Sequence, residues 1–194
     1  MPAKRSIAFL SLLVLCLTYS DALAANPAVK AEASNHAGAK AYQYKQIGDV
    51  KLSLHIFSPK SHKPSDKTPA IVFFFGGGWN GGTTSQFATH CQYLASRGMV
   101  AAVADYRVKS RHKTSPFECV MDGKSAVRWL RANADKLGID PNRIAAGGGS
   151  AGGHVAAATG TVPGLEQTYA KGETGEDKTI SCKPNALADR KSVV

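Results

Sequence analysis

The stretch Gly147-Gly148-Gly149-Ser150-Ala151-Gly152-Gly153-His154 decides how this chain reads. It follows the apolar run Arg143-Ile144-Ala145-Ala146 and precedes Val155-Ala156-Ala157-Ala158, so it predicts a strand, a sharp turn and a helix. One hydroxyl stands at the corner. Gly148 and Gly152 flank Ser150 in the Gly-x-Ser-x-Gly spacing of a nucleophile elbow. The spacing has a steric cause: the serine of such a corner takes a strained backbone conformation, and a side chain at either flanking position would strike the neighbouring strand or helix. A helix starting right after Ser150 points unpaired N–H groups and the positive end of its dipole at the place where acyl transfer develops negative charge. A Walker phosphate loop is excluded, because its Gly-Lys-Ser/Thr ending is absent.

Upstream, Ile71-Val72-Phe73-Phe74-Phe75 is an apolar run of β-formers, the pattern of a buried strand. It empties into Gly76-Gly77-Gly78-Trp79-Asn80-Gly81-Gly82, a loop whose backbone amides are able to face a ligand at close range. With two glycine-rich turns on either side of a strand-helix-strand-helix block, the chain resembles the esterase/lipase branch of the α/β-hydrolase superfamily. Its closest look is to secreted bacterial esterases of the hormone-sensitive-lipase and carbohydrate-esterase kinds. The resemblance implies an α/β-hydrolase fold: a mainly parallel sheet with helices on both faces, here incomplete at the C-terminal end.

The rest of the chain fits that expectation. Residues 42–47 and the alternating run Val50-Lys51-Leu52-Ser53-Leu54-His55-Ile56-Phe57 predict a hairpin at an antiparallel edge, with His55 on its solvated face. Residues 85–97 predict a helix stopped by Gly98, residues 99–104 a buried strand, and residues 118–137 a long helix, before Asp140-Pro141-Asn142 turns the chain into the elbow strand. Alternating strands and helices argue for a parallel sheet covered on both faces.

The resemblance also implies roles. Ser150 is the expected nucleophile, and the oxyanion donors are the amides of Ala151, Gly77 and Gly78. The family's loop opens with histidine where this chain has Phe75, so a polar side chain that helps hold the loop is missing. Trp79 is expected to pack against the core beneath the loop, with lining of the acyl pocket as the alternative role. The family order continues with an acid and then a histidine. After Ser150 the sole histidine is His154, one helical turn on, read as structural. Glu166, Glu173, Glu176 and Asp177 fall in a polar surface stretch and none reads as the triad acid. The base and acid are therefore expected outside this chain, and the chain by itself is expected to be nearly inactive.

Around this domain, residues 41–188, the chain reads as follows. Residues 1–24 have Lys4 and Arg5, an apolar stretch and Ala22-Leu23-Ala24, the layout of a secretory signal, which predicts a secreted or periplasmic protein with no stable membrane insertion after cleavage. Residues 25–40 read as a mobile leader, and residues 189–194 as a tail foreign to the domain. The formal charge is +10, but the basic residues are scattered without interleaved aromatics, which argues against nucleic acid. Cys91, Cys119 and Cys182 leave an odd number of thiols outside the signal, so one pair with a free thiol or a partner elsewhere both fit. No metal-ligand spacing stands out, and ester hydrolysis of this type requires no cofactor. The expected partner is a small-molecule or carbohydrate ester. A peptidase or amidase on the same scaffold, and a non-catalytic binding protein, are the alternative readings.

Overall fold

The apolar run at residues 71–75 lies in the middle of a seven-stranded sheet, in a computed structural model that describes residues 32–165 and 176–190. The strands are β1 (Glu32–Ala33), β2 (Ala39–Ile47), β3 (Val50–Phe57), β4 (Thr68–Phe74), β5 (Val100–Ala104), β6 (Ile139–Gly149) and β7 (Ala186–Arg190). Their spatial order is β1-β2-β3-β5-β4-β6-β7. The first three run antiparallel, and β5, β4, β6 and β7 are mutually parallel. This is the α/β-hydrolase fold that the sequence predicts.

Alternation along β4 explains why both faces are covered. Val72 and Phe74 point to the side of α3 (Pro116–Ala132) and α5 (Ala151–Thr161), where they join Val127, Leu130, Val155 and Ala156. Ile71 and Phe73 point the other way, to Phe87, Cys91 and Ala95 of α1 (Ser85–Ser96). Phe73 and Phe87 stack with centroids 4.8 Å apart. Each buried Val, Leu, Ile or Phe among them contributes about 1.5–3 kcal/mol, so the two clusters fix which face each helix covers.

Local chemistry sets the helix ends. Pro116 occupies the first turn of α3, the Ser115 hydroxyl accepts from Phe117 N–H, and Glu118 reaches back to Ser115 N–H at 2.9 Å. The single helix expected over residues 118–137 is instead two. Asn133 closes α3 by donating its side-chain amide to Trp129 O at 2.8 Å, and the short α4 (Ala134–Leu137) follows and ends at Gly138. Asn competes with the helix for backbone hydrogen bonds, which the apolar period alone does not reveal.

Three expectations at the margins are corrected. Residues 32–40, read as part of a mobile leader, are built into the fold: β1 and the start of β2 extend the sheet, and His36 Nε2 lies 2.8 Å from Thr84 Oγ1. His55 is not simply solvated. Its Nδ1 lies 2.8 Å from Ser34 Oγ and its ring meets His36 edge-on at 4.8 Å. At the other end, β7 runs past residue 188: Asp189 and Arg190 pair with Gly148 and Gly149, so the first residues of the supposed tail continue the strand. Residues 1–31 and 191–194, with the signal and the rest of the tail, lie outside the described residues.

Candidate active site

The corner between β6 and α5 has the shape its glycines imply. Ser150 sits at φ 54° and ψ −122°, a conformation a non-glycine residue adopts only under constraint. The constraint comes from the end of β4. A Cβ at Gly152 would lie 2.0 Å from Phe74 O and 2.5 Å from Phe75 O, and one at Gly148 would lie 2.4 Å from the Gly152 backbone and 2.7 Å from Phe74 O. The elbow is thus pressed onto the strand that leads into the second glycine loop. At the start of that loop, a Cβ on Gly76 would lie 2.7 Å from Gly149 O and 3.3 Å from Ser150 Cβ. Ser150, Ala151 and the loop holding Gly77 and Gly78 are therefore neighbours, although the serine and the loop lie far apart in sequence.

Gly77 (φ 137°), Gly78 (φ 60°) and Trp79 (φ 57°) succeed one another at positive φ, which turns the loop back on itself so that Gly77 O accepts from both Asn80 and Gly81 N–H. Among the described residues, the N–H groups of Gly77 and Gly78 have no hydrogen-bond acceptor. Ala151 opens α5, and the first N–H groups of a helix have no partner within it.

Phe75 stands where the family histidine would be, and other residues hold the loop. Its ring is fully buried and stacked on Tyr106 at 4.1 Å, and Tyr106 Oη donates to Phe75 O at 2.5 Å. Burial pushes that phenol well above its usual range, so it stays a donor. Gln86 clamps the next residue from α1, accepting from Gly76 N–H at 2.9 Å and donating to Gly76 O at 3.0 Å. From the far side comes α2 (Lys109–His112), whose Lys109 and Ser110 N–H groups donate to Trp79 O and Asn80 O, while Arg111 donates to Gly82 O at 2.8 Å. Sequence reading missed Gln86, Tyr106 and Arg111.

His154 is exposed and stacks on Trp79 with centroids 5.5 Å apart, and Trp79 itself packs against the core. Glu176 pairs with Arg128 and accepts from Ser125 Oγ at 3.0 Å, away from the corner, so it is not the surface-loop residue expected; Asp177 caps its own turn. Glu166 and Glu173 lie outside the described residues. Among the described residues no side chain hydrogen-bonds Ser150 Oγ, and no three His, Cys, Asp or Glu side chains gather to hold a metal. Cys91, Cys119 and Cys182 are all buried and unpaired. No described helix is long and apolar enough to cross a membrane.

A strained serine between a parallel strand and a helix, met by a glycine loop from the adjacent strand, is the frame of an α/β hydrolase. The chain belongs to the BD-FAE family, whose model matches residues 54–192. It is similar in structure to the propionate-bound esterase Est2 of Thermogutta terrifontis, with a TM-score of 0.75 and 47% identity over 83% of this chain and 57% of that one. The same esterase phosphorylated by paraoxon matches with a TM-score of 0.74 and 48% identity, over 81% of this chain and 59% of that one. In sequence, Esterase LipC of Mycobacterium tuberculosis is 36% identical over 134 residues, which cover 69% of this chain and 33% of LipC. The chain thus spans about a third of LipC and somewhat more than half of Est2.

Proposed function

We propose that the protein is a serine hydrolase of carboxylic esters that works through an acyl-enzyme on Ser150. The observation that carries this is the seating of Ser150 at positive φ directly against the Gly76 end of a loop with unpaired amides. Attack by Oγ on the ester carbonyl forms a tetrahedral intermediate. The amides of Ala151, Gly77 and Gly78 stabilise its oxyanion, and collapse expels the alcohol and leaves the acyl group on Ser150. Water then releases the acid. A histidine oriented by an acid, both from outside the described residues, takes the Oγ proton during attack and passes it to the leaving alcohol, since a serine without a base keeps an ordinary alcohol's weak nucleophilicity. The relatives support a short acyl group, Est2 having been solved with propionate and with butyrate bound. Acetylated carbohydrates belong to the same size class. The charged start, apolar stretch and Ala22-Leu23-Ala24 of residues 1–24 support reading them as an export signal, and with it a secreted or periplasmic enzyme.

The test is hydrolysis of 4-nitrophenyl butyrate by the protein expressed from its complete gene, beside Ser150→Ala. The expected result is turnover that falls by at least about 10³-fold in the variant. Turnover that survives the substitution refutes the assignment of Ser150.

A further inference from the structure

Beside the glycine loop lies an open groove of about 550 Å³, lined by Gly78, Trp79, Lys109, Lys113, Thr114, Ser115 and Pro116. Two of the lining residues, Lys109 and Lys113, bracket the segment Lys109-Ser110-Arg111-His112-Lys113, which is unusually basic for so short a run. The fold engages two of its four basic side chains. Arg111 is bound to Asp105 at 3.1 Å and to Gly82 O, with its guanidinium 5.8 Å over the Phe75 ring. His112 turns Nδ1 inward to accept from Val108 N–H at 3.1 Å. Lys109 and Lys113 are exposed, pair with no carboxylate among the described residues, and both line the groove.

Other features of the groove also suit an anion. Thr114 Oγ1 is shielded from solvent and has no hydrogen-bond partner. Ser115 and Pro116 form the N-terminus of the long helix α3, the positive end of its dipole. Glu118 is the one carboxylate bonded to a lining residue among those described, and it is held by Ser115 N–H at 2.9 Å and by the Ser115 hydroxyl. The nearby acids Asp105 and Asp122 are occupied by Arg111 and Arg107. Two unpaired ammonium groups, an orphan hydroxyl and a helix N-terminus thus converge on a space that shares Gly78 and Trp79 with the loop beside Ser150.

We propose that this groove seats an anionic group of the ester substrate, a carboxylate on its alcohol or acyl part, and that Lys109 and Lys113 select for it. The inference rests on the serine-esterase reading and names the substrate class of that site. The lysines touch the non-reacting end of the substrate, so they act on substrate preference and take no part in bond making.

Two pairs of esters test it in the protein from the complete gene and in Lys109→Gln/Lys113→Gln. 4-Acetoxybenzoate against 4-acetoxybenzamide places the charge on the alcohol, and mono-4-nitrophenyl glutarate against 4-nitrophenyl valerate places it on the acyl group. The expected result is that in one pair the anionic member is preferred about ten-fold in kcat/KM at low salt, and that the double substitution or high salt brings the ratio near one. Which pair responds identifies the side that carries the charge. Neutral esters turned over with no anionic preference in either pair, or a preference untouched by the substitutions, overturns the proposal while leaving the esterase reading intact. If wild type turns over no ester, that reading fails, and titration with 4-hydroxybenzoate against 4-hydroxybenzamide decides the groove by itself. Tighter binding of the benzoate that weakens about five-fold in the double variant upholds anion recognition, and equal binding of the two overturns it.

Discussion

Gln86 grips Gly76 by both of its backbone groups, accepting from the N–H at 2.9 Å and donating to the carbonyl at 3.0 Å. A side-chain amide used this way acts as an extra residue of strand, and it fixes the loop where a histidine would otherwise help. Gln86→Ala leaves both Gly76 groups without that partner, at a cost of about 1–3 kcal/mol. Activity is expected to fall further than folding, by about ten-fold in kcat with little change in KM, because the amides of Gly77 and Gly78 shift relative to Ser150. Steady-state kinetics beside urea unfolding separate the two effects.

Gly152→Ala is expected to abolish soluble protein. The added methyl would lie 2.0 Å from Phe74 O, an overlap between two backbones that no rotamer change relieves. Gly48→Ala makes the control: that glycine has φ 55° but nothing within 4 Å of the added methyl, so it costs only about 1 kcal/mol. Soluble yield and urea midpoints of the pair check the contrast.

His55 couples the N-terminal segment to pH. Burial, and then the neighbouring His36, lower its pKa to about 4 from an ordinary value of 6.5. The folded protein therefore favours the neutral ring, and the stabilisation is complete above pH 6.5 and lost as pH falls from 6.5 toward 4. With the ring only half buried, solvent screening limits the loss to about 1–2 kcal/mol. His55→Gln is expected to flatten the fall in urea midpoint between those pH values. A wild-type midpoint constant over the same range contradicts the coupling.

Asp122 is fully buried and neutralises two cations at once. It accepts from Arg107 N, Nε and Nη2 at 3.0, 2.8 and 2.8 Å, and lies 3.1 Å from Lys45 Nζ. Asp122→Asn removes the carboxylate that pairs with the Arg107 guanidinium and is expected to cost about 3–5 kcal/mol, measured by urea unfolding at neutral pH.

Most of the sheet was legible in the sequence because its signals are local. The run at residues 71–75, the alternation at 50–57 and the Gly-x-Ser-x-Gly corner each state their own conformation, and β3, β4 and the elbow formed within a few residues of expectation. What stayed hidden depends on distant partners. The small polar residues 32–40 carry no strand period of their own and are held by His55, Thr84 and the β2–β3 pairing. Gln86 is an ordinary helix residue until the loop lies beside it. The groove lysines look like scattered surface charge because only folding shows that Arg111 and His112 are consumed and Lys109 and Lys113 are not.

Covalent labelling decides whether Ser150 is the nucleophile. The protein from the complete gene would be treated with paraoxon, which phosphorylates the similar Est2, then digested and mapped by mass spectrometry. A diethylphosphoryl group on the peptide containing Ser150, absent in Ser150→Ala, is the result expected. A folded protein that hydrolyses 4-nitrophenyl butyrate but carries the label on another residue, or carries none, would contradict it.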